Sequence, residues 1–251
     1  MTASVKPDEL EGPLSLLRHT WVTVWQHRVA IYGYAAWLLL PSVIALFAQR
    51  LPSPTGNFFI LTSDVLAILL GLWVTSAIML YVTASAIKER HEDVNYQVLS
   101  NRAWERVLPL FVVQVVTVCL IVFGTILFII PGLIAWVVTT FAVQEVVLVK
   151  SHLGLALKNS YKLVQGRFLA ILGRLLAAYG VFIAISLSLF GSYLALGLHG
   201  SVAGVIPTLM AWPFWLEIGL SLILLPLTPF AIVFNLHLYF AAQKSYSARH
   251  V

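Results

Sequence analysis

The most regular feature of this sequence is a series of long apolar runs separated by shorter polar segments. Each run is close in length to the roughly 20 helical residues that cross the ~30 Å hydrocarbon core of a bilayer. This pattern predicts an all-α fold, a polytopic membrane helical bundle that forms a single domain over residues 1–251. The six predicted transmembrane helices lie at about 29–48, 62–87, 108–130, 133–149, 168–190 and 215–241.

Composition supports this prediction and excludes several classes of protein. Hydrophobic residues make up 60% of the chain and charged residues 10%, against about 45–50% and about 25% in soluble domains. So few charged residues cannot cover a water-soluble surface. The single cysteine, Cys119, lies inside the third run, and the seven His residues lack metal-ligand spacing. We therefore expect no intrachain disulfide and no metal site.

The basic residues predict the orientation of the chain. An even number of spans puts both termini on one side, together with the segments at 88–107 and 150–167. Of the 15 Lys and Arg residues, only Arg50 lies on the opposite side and only Arg174 lies inside a span. Because Lys and Arg collect in cytoplasmic segments, we expect both termini in the cytoplasm. There the basic residues would meet anionic lipid head groups, which explains the net charge of +5 without nucleic acid.

The connections at 131–132 and 191–214 both contain glycine and proline. A single helix over 107–149 would be about 60 Å long, twice the hydrocarbon thickness, so we expect Pro131–Gly132 to form the turn of a hairpin. The connection at 191–214 is itself apolar. A short re-entrant or interfacial helix at 202–210 and an irregular loop are both open for this segment.

Three amphipathic stretches precede the first, third and fifth spans, and each is followed by an arginine just before the span. We expect all three stretches to form interfacial helices. They suggest a threefold internal repeat, although arginine also collects at any cytoplasmic interface. The stretches are Leu10–His27, Asn95–Glu105 and Leu153–Gly166, and the arginines are Arg28, Arg106 and Arg167.

A turn, a short helix and a glycine in the middle of the chain carry a resemblance to a known family. The matching residues are Ile130, Pro131, Gly132, Gly154, Ala156, Leu157, Lys158, Ser160 and Gly166, with Tyr239 near the inner end of the last span. They resemble a bacterial family that includes the YciC-like uncharacterised inner-membrane proteins and the membrane domain of some glycerophosphodiester phosphodiesterases. The resemblance implies a six-span protein of the bacterial inner membrane and supplies no catalytic residues. The chain departs from the family where an acidic residue would fall at Val149 or Lys150, and where Gln144 replaces a proline.

Several polar residues fall inside the predicted spans, where such residues are costly. Glu145 and Arg174 lie at similar depths, so we expect them to approach each other between the fourth and fifth spans. Four further residues at comparable depth complete a candidate polar layer: Gln114, Gln144, Asn235 and His237. This layer could line an inward-facing cavity, or it could hold the helices together by interhelical hydrogen bonds.

Motifs for catalysis are missing. The sequence contains no G-x-S-x-G, no H-E-x-x-H and no phosphate-binding loop, so we expect no catalytic residues and no cofactor. The leading hypothesis is a non-enzymatic membrane protein that binds lipid or organises other envelope proteins. The alternative is a small transporter or channel with an inward-facing polar cavity. A lipid-modifying enzyme, with Glu145, Arg174 and His237 converging on a head group, is the third hypothesis.

Overall fold

The computed structural model describes residues 10, 12–87, 95–197 and 227–248. All regular secondary structure within these ranges is helical, which confirms the predicted all-α fold class. A single 3₁₀ turn at Ala36–Leu38 joins the second and third helices. The α-helices are α1 Pro13–Gln26, α2 Arg28–Ala35, α3 Leu39–Ala48, α4 Thr55–Ile87, α5 Tyr96–Leu127, α6 Ile129–Thr139, α7 Ala142–Leu148, α8 Leu153–Val164, α9 Phe168–Gly197 and α10 Leu227–Ser247.

Within the described residues, five helical stretches are long and apolar enough to cross a membrane by length and composition. They are Arg28–Ala48, Thr55–Ala86, Tyr96–Leu127, Ile129–Leu148 and Phe168–Ser188. Each overlaps one of the first five predicted runs, although the second and third begin earlier than predicted. Residues 215–226 of the sixth run lie outside the described ranges, and the remainder of that run is in α10. The segment at 202–210, for which a re-entrant or interfacial helix and an irregular loop were both open, also lies outside them.

The three predicted interfacial helices differ in the structure. The first and third are separate helices, α1 and α8, whereas the second is continuous with the apolar run that follows it in α5. Asn95 caps this long helix, because its side chain accepts hydrogen bonds from the backbone N–H groups of Gln97 and Val98. The change from polar to apolar residues near Glu105 is therefore not a helix end, and a separate helix at Asn95–Glu105 was wrong.

The hairpin between the third and fourth runs turns earlier than predicted. α5 ends at Leu127, and Phe128 alone is extended, with φ −164° and ψ 154°. Pro131 and Gly132 therefore lie in the first turn of α6, and their assignment to the turn was wrong. Proline is tolerated there because the first N–H groups of a helix have no partner within the helix.

Glycine at position 132 serves the close approach of α5 and α6. A Cβ atom added at Gly132 would lie 2.8 Å from the backbone nitrogen of Thr125, and one added at Gly124 would lie 2.9 Å from the Cα of Gly132. Such distances leave no space for a side chain. The two glycines thus let the backbones of the two helices touch directly after the one-residue turn.

The last helix, α10, belongs to both hydrophobic clusters of the core. Ile232, Val233 and Leu236 join a cluster built around α4, α5 and α7. On the same helix, Phe234 and Leu238 join a second cluster with residues of α1, α6, α8 and α9. α10 is therefore buried on more than one face, and its polar residues must find partners on the helices around it.

We expect Gly132→Ala to lower the free energy of unfolding by about 1–3 kcal/mol, because the new methyl group would overpack a close backbone contact. Gly173→Ala is the matched control, since a Cβ at Gly173 meets no atom within 4 Å and alanine favours a helix over glycine. Unfolding of the detergent-purified protein, followed by circular dichroism, measures both changes. Equal losses in the two variants would contradict the close contact between α5 and α6.

Candidate functional site

The fourth apolar run is not one helix, because its backbone ladder is interrupted between α6 and α7. Neither proline nor glycine stands at the break, which falls at Thr140 and Phe141. Ser160 of α8, which is fully buried, inserts its hydroxyl there. Its Oγ accepts the backbone N–H of Phe141 at 3.1 Å and donates to the carbonyl oxygen of Val138. A side chain inserted into the ladder is a recognised cause of a helix break.

Two further side chains donate hydrogen bonds to backbone carbonyl oxygens at the break. With its amide nitrogen turned toward the break, the buried Gln144 donates to the carbonyl oxygens of Thr140 and Phe141 at 3.0 and 3.3 Å. The hydroxyl of Thr140 donates to the carbonyl oxygen of Trp136 at 2.8 Å. Side-chain hydrogen bonds from Ser160, Gln144 and Thr140 thus stabilise the break, and Gln144, a predicted member of the polar layer, helps to build it.

Glu145 follows the break by four residues, and its carboxylate is surrounded by three polar side chains from other parts of the chain. We call these four residues the Glu145 cluster: Glu145, Ser151, Asn159 and Tyr239. The Tyr239 hydroxyl donates to Oε1 of Glu145 at 2.9 Å. Nδ2 of Asn159 and the Ser151 hydroxyl donate to Oε2 at 2.9 and 3.4 Å. Glu145 is only 5% exposed and Tyr239 only 1%. Three donors from three segments therefore satisfy one buried carboxylate.

Local backbone geometry brings these residues together. Glu145 lies in the first turn of α7, where the positive end of the helix dipole favours a carboxylate. Lys150 has a positive φ of 62°, and this left-handed residue reverses the chain after α7. The Ser151 backbone N–H then donates to the carbonyl oxygen of Glu145 at 3.2 Å, which places the Ser151 hydroxyl next to the carboxylate.

Arg174 takes partners other than Glu145. One guanidinium nitrogen donates to the carbonyl oxygen of Ala170, and another donates to the carbonyl oxygen of Leu10, both at 2.7 Å. Arg174 thus connects α9 to the segment that precedes α1, and the expected Glu145–Arg174 pair was wrong. The two residues lie at similar predicted depths, but depth does not determine which way each helix turns its side chains.

The remaining members of the predicted polar layer are distributed among separate contacts. Asn235 donates to the Tyr179 hydroxyl of α9 at 3.0 Å. His237 Nε2 and the Thr23 hydroxyl of α1 share a hydrogen bond of 3.0 Å. Gln114 is exposed on α5 and lines a cavity of about 340 Å³ against α4 and α10. The candidates therefore do not form one layer.

The arginines of the suggested repeat also occupy different settings. Arg167 is buried and donates to the carbonyl oxygens of Ala242 and Ser245 near the end of α10, where the helix dipole favours a cation. Arg28 is exposed, and its guanidinium lies 4.9 Å from the ring centroid of Trp25. Arg106 lies within the continuous helix α5. These settings give the threefold repeat no structural support.

Some residues of the cluster carried no sequence signal. Asn159 stands between Lys158 and Ser160 on an amphipathic helix, so the pattern placed it on the polar face of that helix. Its role depends on α8 crossing the break in the fourth run, which is a tertiary contact.

Two of the matched family residues do have clear local roles: Gly166 adopts a positive φ of 76°, and Ala156 is fully buried.

The arrangement is suited to holding helices together. Among the described residues, no group of three His, Cys, Asp or Glu side chains could hold a metal ion. Glu145, Arg174 and His237, the three residues of the hypothetical lipid-modifying site, take partners on three different segments.

A scan of protein-family models, a search of curated proteins and a search of solved structures each found no match to this chain. The resemblance to the YciC-like family therefore stays a prediction.

We expect Ser160→Ala to destabilise the protein by about 1–3 kcal/mol, because it leaves a buried N–H and a buried carbonyl without a partner. Ser63→Ala is the control, since Ser63 is equally buried but bonds only within its own helix, to Ile60. Thermal unfolding in detergent measures the loss, and hydrogen exchange at the Phe141 amide should be faster only in the first variant. Unchanged exchange at Phe141 would contradict the role of Ser160 at the break.

Proposed function

We propose that this chain is a six-span protein of the bacterial inner membrane, with both termini in the cytoplasm. We further propose that it acts by binding lipid or other envelope proteins and not by catalysis. The five apolar stretches support the membrane setting, and α10 would end the sixth span. The distribution of Lys and Arg supports the orientation.

The hydrogen bonds of the polar side chains support the proposal that this protein acts by binding and not by catalysis. Glu145, Asn235 and His237 each bond to a neighbouring helix or to the segment between two helices. Side chains that perform catalysis must instead face a substrate in a shared pocket. These polar groups form hydrogen bonds between helices, and they are distributed over different helix pairs. Binding through the outer surface is therefore favoured over catalysis in the core.

The outer surface itself favours lipid as a partner. Trp21 and Trp25 of α1 stack with ring centroids 6.1 Å apart, yet they are 60% and 59% exposed. Exposed tryptophans on an amphipathic helix are typical of the boundary between lipid and water. The basic segments on the proposed cytoplasmic side would add attraction to anionic head groups.

A small transporter is the second candidate, and one observation favours it. The cavity of about 340 Å³ lies between α4, α5, α7 and α10, and its lining includes the polar residues Thr75, Gln114 and Thr228. A polar cavity among spans is the feature that alternating-access proteins share. Release of a trapped solute from protein-containing vesicles, beyond that from empty vesicles, would favour this candidate over binding alone.

Cysteine labelling tests the proposed topology. In a Cys119→Ser background, which has no other cysteine, we expect Thr55→Cys to react with a membrane-impermeant maleimide in intact cells. We expect Ser247→Cys to react only after the membrane is opened. Both positions are exposed hydroxyl residues near helix ends, so they are matched in accessibility. Labelling of both positions in intact cells would contradict either the number of spans or the orientation.

A further inference from the structure

A second cavity lies away from the Glu145 cluster, between α1, α9 and α10. Its volume is about 380 Å³, and apolar side chains form most of its wall. α9 contributes Val181, Phe182 and Ile185, which lie on one face of the helix. Phe230 of α10 closes one end, with its ring centroid 5.5 Å from that of Phe182 and 6.4 Å from that of Trp21.

The wall contributed by α1 belongs to an amphipathic helix. Leu17, Trp21, Val24 and Trp25 recur at helical spacing and all line the cavity. Although Trp21 and Trp25 form this wall, more than half of each side chain remains exposed. The cavity therefore opens beside two tryptophans of the kind that mark a lipid–water boundary.

The charge beside this opening is positive. The Arg28 guanidinium lies over the Trp25 ring, and Arg28 is exposed. Between Gly12 and Gln49 the sequence contains no Asp or Glu residue, whereas Arg18 and Arg28 both occur there. A cationic occupant would find no countercharge in this part of the chain, whereas an anionic occupant would find one at Arg28.

The size of the cavity limits the occupant further. A water-sized group takes about 30 Å³, and a methylene group is of similar size, so 380 Å³ has room for about a dozen. That is most of one acyl chain and far less than both chains of a phospholipid. The second chain and the head group would lie outside the cavity, in the bilayer and at its surface.

We propose that this cavity binds one acyl chain of an anionic phospholipid, with the lipid phosphate at Arg28. The site rests on the proposed membrane function and names its ligand class. The apolar wall contacts the acyl chain, and the Arg28 guanidinium donates hydrogen bonds to phosphate oxygens. The exposed tryptophans hold α1 at the surface, where the head group must be.

Native mass spectrometry of the detergent-purified protein, titrated with palmitoyl-oleoyl-phosphatidylglycerol, tests the site. Val181→Trp places a large side chain in the cavity and should lower lipid occupancy by about tenfold or more, because two displaced methylene groups are worth that factor. Ile185→Trp, one turn further along α9, should lower lipid occupancy in the same way. It replaces the first variant in the experiment if Val181→Trp does not fold. Ile183→Trp is the matched control, since Ile183 is exposed on α9 but does not line the cavity.

The head-group contact has its own variant. Arg28→Gln should lower occupancy by about fivefold, the factor that one basic residue contributes near an anionic surface. Phosphatidylcholine with the same chains should bind the wild-type protein more weakly than phosphatidylglycerol. Equal binding of the two lipids would overturn the preference for an anionic lipid, and unchanged occupancy in Arg28→Gln would overturn the assignment of Arg28.

Two further results would overturn the site as a whole. Equal lipid occupancy in Val181→Trp and Ile183→Trp would mean that the bound lipid lies elsewhere. A protein dimer without lipid, dissociated by Val181→Trp, would assign the cavity to a second copy of the chain. A separate experiment tests the proposed membrane setting: the wild-type protein should sediment with the membrane fraction. If it does so while the lipid results fail, the cavity assignment is wrong and the membrane setting is not.

Discussion

A carboxylate buried among apolar helices is stable only when its oxygens are hydrogen-bonded, and the region around Glu145 is organised by that requirement. Tyr239 supplies one donor from α10, Asn159 supplies one from α8, and Ser151 supplies one from the segment between α7 and α8. The position and rotation of these segments are therefore fixed relative to one another. A shift of any of them by one residue would remove a donor from a buried charge.

α10 repeats the same constraint along its length. Asn235 bonds to α9, His237 bonds to α1 and Tyr239 bonds to Glu145 of α7, so alternate residues connect the helix to three neighbours. Arg167 then binds the carbonyl oxygens near its C-terminus. Apolar contacts alone would allow the helix to rotate with little cost, because one aliphatic face resembles another. The polar contacts select one rotation, and they also account for polar residues inside apolar runs.

The sequence predicted the features that depend on local pattern. Apolar runs and amphipathic spacing located the helices, and Glu145 was identified because an acidic residue within an apolar run is rare. The partner of Glu145 was predicted wrongly as Arg174, because a sequence gives the depth of a residue but not the direction of its side chain. The break at Phe141 depends on Ser160 of another helix. Pro131 and Gly132 are a residue pair typical of turns, but in this fold they lie in the first turn of α6.

A double-mutant cycle between Glu145 and Tyr239 tests the central claim most directly. Glu145→Gln, Tyr239→Phe and the double variant are unfolded in the same detergent, beside a control cycle that pairs Glu145→Gln with Tyr161→Phe on the exposed surface of α8. We expect a coupling energy above about 1 kcal/mol for the first pair, which exceeds the ~0.6 kcal/mol average of interhelical hydrogen bonds in a membrane protein. The control pair should be additive within about 0.5 kcal/mol. Additivity of Glu145 and Tyr239 would contradict the claim that the Glu145 cluster fixes α10 in place.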